Sequence, residues 1–138
     1  ISSGDRNVAI TWLTRAGDVP KIQVALSADE GRTFHAPKRL DGGNPAGRPS
    51  ITAYGAGYLV VWLEKTSNSD AEIRARRVGA DGILHPSFSI ATATSGRATG
   101  FPKVAVSGDQ VLFAWRAERV RAALLTKKEI EQKEKEQK

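Results

Sequence analysis

The chain has 138 residues, 40% of them hydrophobic and 26% charged, the balance of one ordinary globular domain rather than of a disordered segment. Its longest unbroken apolar run, residues 58–63, falls far short of the roughly 18 residues that a membrane span needs, and the absence of cysteine excludes a disulfide framework, a thiolate metal site and a cysteine nucleophile. Lysine plus arginine number 21 against 15 acidic residues, a net charge of +6, but the charge is dispersed and dense only at Arg74, Arg76 and Arg77, which describes a solvated surface better than a nucleic-acid interface. Methionine is absent even at position 1, so the chain is expected to be a piece of a longer protein or a processed product.

In chain order, the first strand signal is Val8-Ala9-Ile10-Thr11-Trp12-Leu13. An alternating segment, Ile22-Gln23-Val24-Ala25-Leu26, and another strand at 34–40 follow it. Gly42-Gly43-Asn44-Pro45-Ala46-Gly47 lies between two strands and lacks the helix N-terminus that a phosphate cradle requires, so it is a linker. Next come Gly47-Arg48-Pro49-Ser50-Ile51-Thr52-Ala53, a glycine-containing turn, Leu59-Val60-Val61-Trp62-Leu63, then Ile73-Arg74-Ala75-Arg76 and a strand at 86–91. The same order returns with Gly100-Phe101-Pro102-Lys103-Val104-Ala105-Val106, Val111-Leu112-Phe113-Ala114-Trp115 and Val120-Arg121-Ala122-Ala123-Leu124.

Trp12, Trp62 and Trp115 align these segments into repeats spaced by 50 and then 53 residues. With the strands of one unit lettered A to D, the chain contains B-C-D, A-B-C-D and A-B-C. The expected fold class is therefore all-β, a partial β-propeller of about three four-stranded antiparallel blades (approximately 1–46, 47–96 and 97–126) within a domain spanning 1–126. A two-layer β-sandwich is the alternative that such short strands also allow. Three partial blades fall below the roughly four that close the smallest propeller, so the remaining blades are expected from the same protein or another chain. Residues 127–138 form a charged helical or disordered tail. Glu129–Lys133, Glu131–Lys135 and Glu134–Lys138 are spaced for i,i+4 pairing, whereas Ile130 alone does not make an apolar docking face.

The turn after the first C strand reads Ser27-Ala28-Asp29-Glu30-Gly31-Arg32-Thr33-Phe34. Asp29 is placed to accept amide hydrogen bonds, Gly31 to take a positive φ, and Phe34 to tuck against the adjacent strand. This pattern resembles the Asp-box of sialidases and related bacterial neuraminidase repeat proteins, with a reduced version at Gly79-Ala80-Asp81-Gly82. The resemblance covers roughly residues 4–125 and rests on a fold marker, with Ser27, Asp29, Gly31, Thr33 and Phe34 as the structural turn.

The resemblance implies an extracellular or periplasmic protein that binds or hydrolyses glycans, with the D to A links and B to C loops on the ligand face. Tyr54, Tyr58, His35 and His85 then fall on the opposite face and read as packing residues. On the ligand face stand Asn44, Arg48 and Arg97 in the links, and Asp18, Glu64, Asp70, Glu72, Arg116 and Glu118 in the loops. Arg48 and Arg97 are the candidates for holding a ligand carboxylate, because a guanidinium fork bonds a carboxylate bidentately; inter-blade salt bridges are the plainer use of both. Glu64 and Glu72 are the weak catalytic candidates, and the alternative for both is a solvated rim.

The family's tyrosine nucleophile has no counterpart predicted on that face, so the isolated chain is expected to be inactive. No cofactor and no metal are expected. The alternative function is a noncatalytic propeller scaffold for protein–protein interaction.

Overall fold

The computed structural model describes residues 1–4, 6–94 and 100–137. The chain is mostly β, with three antiparallel sheets and one C-terminal helix. Sheet I contains β1 (Ser2–Gly4), β2 (Asn7–Thr14), β3 (Lys21–Ser27) and β4 (Lys38–Arg39). Sheet II contains β5 (Pro45–Tyr54), β6 (Gly57–Lys65), β7 (Asp70–Val78) and β8 (Phe88–Thr94). Sheet III contains β9 (Lys103–Ser107), β10 (Gln110–Arg116) and β11 (Val120–Thr126), which runs directly into α1 (Lys127–Lys135). Every sheet is a meander in which sequential strands are neighbours.

The strand order follows the repeat, but the bounds differ: the first strand of sheet II begins at Pro45, inside the stretch expected to be a linker, its last runs over Phe88–Thr94 rather than 86–91, and sheet I differs most. Sheet I has four strands rather than B-C-D alone, because Ser2 to Gly4 pair with Ala9, Val8 and Asn7. Three residues with no apolar alternation carry no strand signal, and their pairing comes from the partner strand alone. The fourth strand of sheet I, expected over 34–40, is only Lys38–Arg39. Residues 27–34 are committed to the Asp-box turn, and Pro37 has no N–H to give a ladder. One further bond, Leu40 N–H to the Ile22 carbonyl at 2.8 Å, closes that strand.

Sheet II packs between the other two, and β6 shows why its sequence is apolar without alternation. Tyr58, Val60 and Trp62 enter one core with Ala9, Ile22, Val24 and Leu40 of sheet I. Leu59, Val61 and Leu63 enter a second core with Val111, Phe113 and Trp115 of sheet III. A strand covered on both faces needs hydrophobic residues at every position, so period two disappears. The two seams also have polar ties. Arg76 donates to the Leu40 carbonyl at 3.0 Å and Lys38 to the Gly82 carbonyl at 2.6 Å across the I–II seam; burial lowers the Arg76 pKa, and both contacts are to carbonyls.

Of the two expectations for the C-terminal segment, helix or disorder, the helix forms, and what differs from expectation is that it docks on the sheets. It is an ordered helix with a capping box, in which the Glu129 amide donates to Thr126 Oγ1 at 3.1 Å and the Glu129 carboxylate accepts from the Thr126 amide. Ile130 is completely buried in the II–III core, and Glu134, one turn later on the same face, receives a bidentate Arg77 guanidinium, with Nη2–Oε2 at 2.9 Å. That bond raises the Arg77 pKa. Ile130 suffices as an anchor because an ion pair beside it and the Lys133 contact to the Ser89 carbonyl complete the docking.

Candidate functional site

The 27–34 turn, which resembles an Asp-box in sequence, is held by hydrogen bonds among its own groups. Ser27 Oγ donates to Asp29 Oδ1 at 2.8 Å and accepts from the Gly31 amide at 2.9 Å. The other end of the turn is held by Asp29, which accepts from the Thr33 amide at 2.8 Å and from Thr33 Oγ1 at 2.5 Å. Gly31 takes φ +83°, a region that costs an L side chain, and Glu30 shares it at +63°. The Thr33 hydroxyl, the Thr33 amide and Ser27 together lower the Asp29 pKa from 3.8 to about 2. Phe34 is 39% exposed, with its ring laid back towards Gly31. All of these groups serve the turn, and none is left over for chemistry. The reduced version at 79–82 keeps a turn of its own, with the Gly79 amide bonded to the Ile83 carbonyl and the Ile83 amide to Asp81.

At the far end of sheets I and II, where the 41–44 link and the 65–70 loop meet, two acids organise the backbone. Asp41 accepts the Ile22 amide at 2.7 Å, the Gly43 amide at 2.9 Å and a bidentate Arg39. Burial pushes its carboxyl up, but the Arg39 and amide hydrogen bonds outweigh that and leave it below the ordinary range. Glu64, buried at the end of β6, accepts the Gly42 amide at 2.6 Å, the Asn44 amide at 2.9 Å and the Trp62 indole N–H at 3.3 Å. Glu72 stands directly across the ladder from Glu64 and is paired instead with Arg74 at 2.8 Å. Two like charges opposite one another in a sheet repel, and these separate donors make the arrangement tolerable. The weak catalytic candidates therefore share one end of one sheet, yet each carboxylate is engaged by other groups.

Arg48 is placed differently. Ala46 pairs with Leu63 and Ser50 with Val61, so residues 47–49 bulge from β5 opposite Trp62. Gly47 adopts φ +79°, Pro49 has no N–H for a ladder, and Arg48 is exposed and makes no hydrogen bond or ion pair among the described residues. The equivalent motif in the next repeat places Phe101 on the same bulge: a Cβ at position 47 would land in the Phe101 ring. Arg97 lies outside the described residues.

Between sheets II and III is a cleft of about 590 Å³ that includes Trp115, Glu118, Arg121, Thr92 and Thr94. A second groove of about 440 Å³ lies at the opposite, Asp-box end of the I–II seam, with Val24, Leu26, His35 and Lys38. Tyr54 and Tyr58 are buried packing residues; the Tyr54 ring lies under Arg77 and Lys127, and burial raises its pKa. Among the described residues no three His, Asp or Glu side chains converge as a metal site, and no helix is long and apolar enough to cross a membrane.

The structure adds Asp41 and the Trp115–Arg121 cleft to the residues that sequence reasoning singled out. An aspartate before two glycines is a recognisable Asx-turn signal, whereas the cleft needs two sheets to be placed side by side. No family model matches the chain, and neither a curated protein nor a solved structure does.

Proposed function

We propose that the three sheets are consecutive blades of a sialidase-like Asp-box β-propeller that binds or hydrolyses extracellular glycans in its complete form. The observation that carries this reading is the recurrence of one strand order in three successive meanders, with a complete Asp-box between the third and fourth strands of the first. Arg48 supports the ligand end: an exposed guanidinium on a bulge, without a partner among the described residues, is available for an anionic sugar. Arg97 belongs to the same proposal by its repeat position.

The scaffold alternative has its own supporting observation. Glu64 and Glu72 are engaged by backbone amides and by Arg74, and the tyrosines are buried, so no nucleophile pair is visible among the described residues. Glycan-array binding of the folded protein separates the two. Retention on glycans with acidic termini, lost in Arg48→Ala, is the expected result. A folded protein that retains no glycan, acidic or neutral, would overturn the ligand reading and leave the scaffold.

A further inference from the structure

The same packing relation is used twice within the chain. Sheet II turns its Trp62 face to the preceding sheet and its Leu59–Leu63 face to the following one, and sheet III turns its Trp115 face back onto sheet II. The ladders identify the equivalent positions on the two faces that remain. On sheet III, Leu112 pairs with Leu124, Ala114 with Ala122, and Arg116 with Val120; these match Leu59, Val61 and Leu63 of sheet II, which are buried. Leu112 is 44%, Leu124 57% and Val120 77% exposed. Sheet I has the complementary face, because Ala9 and Leu13 point to sheet II and Val8, Ile10 and Trp12 alternate to the other side, with Ala25 opposite Ile10.

We infer that two copies of this chain associate head to tail, the Leu112–Leu124 face of one packing on the Trp12 face of the other. The occupant is a second copy because the chain itself carries both halves of an interface that it already forms twice internally, and the new contact continues that series. Such a contact is heterologous: it either closes into a ring or runs on as an open stack. Closure at two copies rests on the propeller reading above; association itself rests only on the repeated packing.

The absence of cysteine makes the test direct. Ile10→Cys and Leu124→Cys chains, treated with a short thiol-to-thiol cross-linker, should give covalent dimers when mixed and none when either is treated alone. Light scattering should find a discrete particle of two 14.9 kDa chains, reduced to one by Leu124→Asp, while Ile83→Asp, at an exposed residue just after the 79–82 turn, leaves it at two. Mixed cross-links with an open-ended series of masses would keep the head-to-tail contact and overturn closure into a propeller. A folded wild-type monomer, or cross-links as strong in the single variants as in the mixture, would overturn the inference even where Leu124→Asp fails to fold.

Discussion

Sheets II and III are built from aligned repeats, yet they live in different environments. The middle strand of sheet II is buried along residues 58–64, whereas in sheet III Val111, Phe113 and Trp115 are covered and Leu112 is not. The two strands are equally apolar in sequence, so the composition of sheet III suits a position between two neighbours even though one face lacks a cover. An apolar residue at a repeat position reports the environment that the repeat was built for, and the difference in exposure marks a face of sheet III that the described residues do not cover.

Removing Trp62 should break the covered sheet most severely. Trp62→Ala deletes a fully buried side chain at the I–II core and should cost about 3–5 kcal/mol in urea unfolding. Ile130→Ala should follow at about 2–5 kcal/mol, with proteolysis releasing residues 127–137 before the sheets are cut. Glu134→Gln, which leaves Arg77 without its charge partner, should cost about 1–3 kcal/mol and lose the protection of the same segment. Gly47→Ala strains the bulge and displaces Phe101; a loss of about 1–3 kcal/mol is expected for a side chain forced into that backbone region.

The smallest effect concerns the Asp-box. The Asp29 carboxyl titrates at about 2 in the folded chain and near 3.8 unfolded, so its contribution is fully present above about pH 4 and is lost as pH falls towards 2. Asp29→Asn should flatten that part of the stability profile measured by acid titration in the presence of urea. A profile unchanged by the substitution would show that the hydrogen bonds of Asp29 with Ser27 and Thr33 do not stabilise the fold.

Much of the strand order was legible because period and punctuation are local. Trp12, Trp62 and Trp115 mark the second strand of each sheet, and Pro102 directly precedes the first strand of sheet III, whereas its counterpart Pro49 sits on the bulge inside β5. What escaped depends on distant partners. Ile130 looks solitary on its helix until the II–III core is assembled beneath it, and Glu134 finds Arg77, 57 positions away, while Lys138, its expected i,i+4 partner, lies outside the described residues. Glu64 reads the same in sequence whether it faces a ligand or turns back onto amides, and those amides come from Gly42 and Asn44. The 2–4 strand was invisible because nothing in three small residues alternates.

The most direct test of repeat equivalence compares Leu59→Ala with Leu112→Ala by urea unfolding over a range of protein concentrations. Leu59→Ala should cost about 2–5 kcal/mol at every concentration, while Leu112→Ala should cost under about 1 kcal/mol in dilute protein and progressively more as concentration rises, because its face is covered only on association. A Leu112→Ala chain that matches the wild type at all concentrations would contradict the reading of that face as an interface.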